Sequence, residues 1–178
     1  LAYPGGPAVQ AAADNGDPSA FKFPRAWLEG TWDFSFSGLK TAVLREVRKR
    51  QPNLEAGVDA PRPGLPIADY AASFQAAVVE VLVGKTLAAA KEFKANEILV
   101  AGGVSANQSL RKAFQQQAEI VVRTPPLELC TDNAAMIAAV GAVMLYALLT
   151  RSLLDINVLH DRNPVAVKLS DGSIRNAY

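Results

Sequence analysis

Glu97-Ile98-Leu99-Val100-Ala101-Gly102-Gly103-Val104-Ser105-Ala106-Asn107 is the stretch on which the fold turns. Glu97 to Ala101 is a short apolar run of strand length, closed by two glycines. Gln108 to Ala118 then takes up a helical pattern, Glu119 to Arg123 reads as a second strand, and Thr124-Pro125-Pro126 ends it. Thr131-Asp132-Asn133 opens a further helix running to about Leu149. Strand, helix, strand, helix predicts an α/β class with a mostly parallel sheet flanked by helices.

Upstream, Ile67 to Lys94 carries apolar residues at helical spacing (Ile67, Tyr70, Ala71, Phe74, Ala77, Val78, Val81), with Gly84 a point where the helix could divide. Residues 1 to 33 are rich in Pro, Gly, Ala and Asp. There Tyr3-Pro4-Gly5-Gly6-Pro7 reads as a turn, Ala8 to Ala13 as a short helix, and Phe21-Lys22-Phe23 as a short strand. Asp33-Phe34-Ser35-Phe36-Ser37 alternates as a strand does, Gly38 breaks it, and Leu39 to Arg50 reads as a helix with a basic end. The Pro- and Gly-rich stretch from Pro52 to Pro66 reads as an exposed loop. Downstream, Val165 to Leu169 reads as a strand and Ser170-Asp171-Gly172 as a turn.

The chain has 178 residues, half of them hydrophobic, which suits one domain or one large lobe. Lys plus Arg number 18 against 17 Asp plus Glu, so any basic surface has to be local. The single cysteine, Cys130, excludes an internal disulfide. No stretch reads as a signal peptide, and the apolar region from Ala134 to Leu149 reads as a buried helix, so a soluble, cytoplasmic protein with no membrane partner is expected. The chain starts at Leu1, inside what reads as a motif, as a processed chain or a fragment would.

Four places could carry chemistry. Gly102-Gly103 and the following helix start would let a nucleotide approach bare backbone, with Asn107 bonding a ribose or base edge; equally, the glycines could serve a tight turn and Asn107 cap the helix. Asp132 could be a metal ligand or an N-cap. Gly5 and Gly6, bracketed by prolines, could support a ligand or form a connector. Ser37 and Lys40 at a helix start could hold a phosphate, although the spacing is not that of a P-loop. Cys130 has no neighbouring His and reads as a buried structural thiol. His160, the only histidine, reads as a surface residue. Arg45, Arg48, Lys49 and Arg50 could touch a phosphate backbone or simply complement a helix dipole.

Taken in order, Tyr3-Pro4-Gly5-Gly6-Pro7, Phe34 to Thr41, Ser73-Phe74-Gln75, Ala101 to Asn107 with Leu110-Arg111, and Cys130 to Ile137 resemble the C-terminal half of the tRNA N6-adenosine threonylcarbamoyltransferase family, TsaD in bacteria. The resemblance runs from about Leu1 to Gly141. It implies an actin-like ATPase fold of the sugar kinase and Hsp70 type. Residues 1 to 178 would form the C-terminal lobe, with a helical and loop subregion at about 14 to 66 and the N-terminal lobe absent. It also implies transfer of a threonylcarbamoyl group from threonylcarbamoyl-adenylate to N6 of adenosine 37 in tRNAs reading A-starting codons. This chain alone would be inactive.

By the same resemblance, Gly6 and Asn107 match adenylate-contacting positions, and Asp132 matches a ligand of a metal, iron(II), with zinc or magnesium possible in its place. Gly102, Gly103, Ser37 and Lys40 are candidate substrate contacts. The family's paired metal histidines lie in its N-terminal half. Gln10 stands where many members have an Asp. The implied partners are tRNA, the adenylate or ATP, an inactive paralogue and an ATPase of the modification complex. The alternatives are a scaffold paralogue of that complex, or a small-molecule kinase of the same fold. The older idea of a secreted O-sialoglycoprotein endopeptidase finds no export signal and no protease constellation.

Overall fold

The computed structural model describes residues 1, 3–51, 64–131, 134–150, 165–168 and 174–176, the last residues of the fifth helix and the final two strands as backbone only. Five helices are described: α1 (Gly5–Ala13), α2 (Ser37–Arg50), α3 (Ile67–Glu92), α4 (Gln108–Gln117) and α5 (Ala134–Thr150). The strands are β1 (Glu97–Val100), β2 (Val121–Arg123), β3 (Val165–Lys168) and β4 (Ile174–Asn176), and short 3-10 turns at Gly103–Ala106 and Leu127–Leu129 follow β1 and β2. The sheet order is β2-β1-β3-β4. β1 and β2 are parallel with Glu97 opposite Val121, as the strand-helix-strand pattern requires. β3 joins β1 antiparallel, and β4 pairs antiparallel with β3. The class is therefore α/β, with the parallel ladder confined to β1 and β2. Strand β4 has no counterpart in the sequence reading, and Ser170 to Gly172 lie outside the described residues.

The core is organised around α3. One side packs Leu82, Val83 and Ala90 against Ile98 and Val100 of β1 and Leu110 and Phe114 of α4. A second cluster joins Tyr70 and Ala77 to Leu39 of α2 and to Phe23. A third sets Ala71 and Ala72 against Ala13 of α1. Small residues where α1 meets α3 let the two helix backbones approach closely. Gly84 does not divide α3. A Cβ there would meet the Trp27 ring at 3.0 Å, so this glycine makes room for the indole. By length and composition α3 could cross a membrane, but here it is the central core helix.

Residues 17 to 36 differ most from expectation. Neither Phe21–Phe23 nor Asp33–Ser37 is a strand. This segment runs along α3 and bonds its side chains about once per turn. The Asp17 N–H donates to Asp69 Oδ1 at 2.9 Å, the Phe21 N–H to Ser73 Oγ at 3.1 Å, and Arg25 Nε to Glu80 Oε2 at 2.7 Å. Lys85 Nζ donates to the carbonyls of Leu28 at 3.1 Å and Asp33 at 2.5 Å. The alternation of Phe34 and Phe36 is kept, their rings stacked 6.3 Å apart, but it serves packing beside α3 rather than a ladder. The buried Ser73 and Lys85 are thereby explained: both satisfy backbone groups of the segment they cover.

Two helix starts also move. α1 takes in Gly5, Gly6 and Pro7, the missing N–H of Pro7 costing nothing in a first turn. α2 takes in Ser37 and Gly38, so Gly38 is not a breaker. Contrary to the buried helix expected, α5 is exposed from Ala134 to Tyr146, with Ile137 72% and Val140 58% accessible. Most of Pro52 to Pro66 lies outside the described residues.

Candidate functional site

Because β1 and β2 are parallel, the turns that follow them share one edge of the sheet. Arg111 of α4 joins those turns. Its Nε donates to the Ser105 carbonyl at 2.6 Å, one NH group reaches Thr124 Oγ1 at 3.2 Å, and the other reaches the Pro125 carbonyl at 2.7 Å and Cys130 Sγ at 3.2 Å. Cys130 is buried, and its thiol also donates to the Pro126 carbonyl at 3.4 Å, the geometry of a structural thiol. The chain is thus held up to the residue before Thr131; Asp132, Asn133 and His160 lie outside the described residues.

Gly102 opens the turn after β1 with φ 79° and ψ 174°, a conformation essentially restricted to glycine. Gly103 needs no such allowance, and a Cβ on it would meet nothing within 4 Å. The same holds for Gly5 and Gly6 at the start of α1, and for Gly38. Gly16, by contrast, is forced by close approach of the Ala68 carbonyl. Neither packing nor backbone strain therefore accounts for Gly5, Gly6 or Gly103, although glycine in a helix costs up to about 1 kcal/mol relative to alanine. What they provide is bare backbone facing open space.

Among the described residues, a single side-chain bond links α1 to α4. Gln10 Oε1 accepts from the Gln108 N–H at 2.8 Å, and Gly6 lies one turn ahead of Gln10 on the same face of α1. The second turn of α1 is therefore tied to the start of α4. Asn107 caps α4, its Oδ1 accepting from the Leu110 N–H at 2.9 Å, while its Nδ2 donates to Gln75 Oε1 at 2.7 Å. Gln75 Nε2 in turn donates to Ser109 Oγ at 3.0 Å. With Gln108 and Leu110 so engaged, the first turn of α4 offers few free donors to an anion. At α1, Gly5 and Gly6 present N–H groups with no intrahelical acceptor, and Pro4 supplies no side-chain cap.

Sequence reasoning missed Gln75 and Arg111 as the residues that hold the site together; both stand within family motifs, but their partners lie 32 and 13 to 19 positions away. Ser37 and Lys40 are exposed at the start of α2, where Ser35 Oγ and Ser37 Oγ lie 3.1 Å apart, and Lys40 makes no ion pair among the described residues. No bond among the described residues brings them to the Gly102–Gly103 turn. Ser105 Oγ, within that turn, is buried with no hydrogen-bond partner among the described residues.

The family model for tRNA N6-adenosine threonylcarbamoyltransferase, TsaD, matches residues 1–139. The chain belongs to this family. Its fold is that of the actin-like ATPases. Curated relatives bearing the same enzyme name include one from Thermomicrobium roseum, 50% identical over 94% of this chain and 48% of its own length. Another, from Moorella thermoacetica, is 48% identical over 90% of this chain and 46% of its own length. A third, from Geobacillus kaustophilus, is 50% identical over 81% and 41%. The chain spans about half the length of the curated relatives it matches. A second family model, for the Ig-like fold at the C-terminus of FixG, matches residues 144–178, so the two matches meet within α5.

The TsaD family is metal-dependent. Among the described residues, no group of three His, Cys, Asp or Glu side chains could hold an ion, and Cys130 Sγ is committed to Arg111 and Pro126. The donors described here do not make a metal site.

Proposed function

We propose that this chain is the C-terminal, adenylate-binding lobe of a cytoplasmic enzyme that transfers threonylcarbamoyl from threonylcarbamoyl-adenylate to N6 of adenosine 37 in tRNA. The observation that carries this reading is the set of glycines, Gly5, Gly6 and Gly103, that neither packing nor φ requires, on a helix and a strand-edge turn linked through the Gln10 to Gln108 bond in a chain of the TsaD family. The adenylate phosphate would sit on the Gly5 and Gly6 amides, where the α1 dipole favours an anion. The adenosine would lie over Gly102–Gly103, with Asn107 at its edge, aimed by Gln75. Asp132 would lend one carboxylate to the enzyme's iron, the remaining ligands coming from the rest of the protein. In the reaction, N6 of the adenine attacks the carbamoyl carbonyl carbon, the bond from that carbon to the phosphate oxygen breaks, AMP departs, and N6 gives up a proton. The chain's residues contribute by fixing the activated carbonyl in place. Turnover would use an inactive paralogue and an ATPase as partners.

The test is transfer to tRNA by the full-length protein with those partners, comparing wild type and Asp132→Ala, with the fold of each verified by circular dichroism. Transfer by wild type and loss of at least a hundredfold in a folded Asp132→Ala protein is expected. Unchanged activity in Asp132→Ala would reduce that residue to a helix cap. ATP turnover with a small acceptor and no tRNA product would favour a kinase of the same fold.

A further inference from the structure

The C-terminal end of α2 concentrates charge that the rest of the chain does not. Arg45, Arg48, Lys49 and Arg50 lie within six positions, and Lys22 joins them across a cleft of about 270 Å³ lined by Lys22, Arg45, Lys49 and the Phe21 and Phe23 rings. The net charge of the whole chain is only +1, so this excess is local. Glu46 is the acidic residue of the cleft, and it is spent on Lys49 at 3.0 Å and Arg50 at 3.9 Å. Arg50 also sits 5.4 Å over the Phe21 ring, which fixes its guanidinium. Lys22, Arg45 and Arg48 are exposed and make no ion pair among the described residues.

A solvated helix end that only complemented its dipole would need one or two cations in the last turn. It would not need Lys22, which comes from a different segment and faces the same cleft. Cations from two segments around a concave floor, unpaired among the described residues, suit a ligand with closely and regularly spaced negative charge. A nucleic acid carries one such charge per nucleotide. We propose that this cleft binds the sugar-phosphate backbone of the tRNA, with Lys22 and Arg45 as the phosphate-binding cations of the cleft and the exposed Arg48, three positions after Arg45 on α2, as a third beside it. The inference rests on the transferase reading, which requires an RNA substrate but assigns no surface to it.

The experiment uses the full-length protein and an unmodified tRNA transcript with adenosine at position 37. Affinity is read by filter binding across a salt series, and transfer is read as separate KM and kcat values. The triple variant Lys22→Gln, Arg45→Gln, Arg48→Gln is expected to bind about tenfold or more weakly. Its log-affinity against log-salt slope should be smaller by about one for each cation removed. Its KM for tRNA should rise while kcat and the KM for the adenylate stay within about twofold of wild type. Arg45→Lys with Arg48→Lys keeps the charge and should retain binding, whereas Lys91→Gln with Lys112→Gln, on other helices, should leave it unchanged.

Wild-type affinity and slope in the triple variant would overturn this surface while leaving the transferase reading intact. So would equal weakening in the charge-keeping or the remote variants, or binding to phosphatidylglycerol vesicles instead of tRNA. If the wild-type protein transfers nothing to tRNA, the transferase reading itself has failed, and this surface falls with it.

Discussion

Gly6 and Gly103 can be separated from Gly102 by experiment. A methyl group at Gly6 or Gly103 meets nothing, so Gly6→Ala and Gly103→Ala are expected to leave the thermal midpoint unchanged or raise stability by up to about 1 kcal/mol. Gly102→Ala, at φ 79°, is expected to cost about 1–3 kcal/mol. Differential scanning calorimetry of the three variants distinguishes the roles. Asn107→Ala removes the α4 cap and the Gln75 bond, and a loss of about 1–2 kcal/mol in urea unfolding is expected. Lys85 is held charged at 2% exposure against the carbonyls of Leu28 and Asp33, and burial lowers its pKa from the ordinary 10.5, partly offset by the Asp33 charge. Between the lowered value and 10.5 the unfolded chain binds more protons, so stability rises with pH through that window; below it, the penalty for burying the charge is fully present. Lys85→Met should lose that alkaline rise and, by orphaning two carbonyls, cost about 2 kcal/mol at neutral pH, both read from urea midpoints across pH. The glycines were legible as a pattern, but a pattern does not tell a glycine forced by close approach, as at Gly16 and Gly84, from one that packing leaves free.

At the scale of elements, the strand-helix-strand run from Glu97 to Arg123 was legible because its apolar runs, its turn residues and its helical pattern all agree. The segment from Asp17 to Phe36 was not. Its backbone partners are the side chains of Asp69, Ser73 and Lys85, more than fifty positions away, and no local periodicity records them. Nor does it record Arg111, which ties α4 to the turn after β1 by one bond and to the connection after β2 by three. Arg111→Met is therefore expected to speed amide hydrogen exchange between residues 124 and 131 by at least about tenfold while leaving α1 and α2 unchanged. Uniform acceleration across the chain would instead mark a general loss of stability.

For the molecule as a whole, the exposed apolar helix α5 is the feature least like a finished surface. Ile137, Val140 and Val143 present a contiguous apolar face, and faces of that kind associate when left uncovered. Replacing Ile137 and Val140 with Ser is expected to raise the monomer fraction of this chain in light scattering. The sequence marked this helix as apolar and so as buried; burial depends on what lies opposite, and the chain spans about half the length of its relatives. The central claim is that bare backbone at the sheet edge receives an adenylate, and the most direct measurement is the KM for threonylcarbamoyl-adenylate of the full-length Gly103→Ala enzyme in the tRNA transfer assay. The account expects that KM to rise at least tenfold with the thermal midpoint unchanged. An unchanged KM would contradict it, because the open space over Gly103 would then receive nothing.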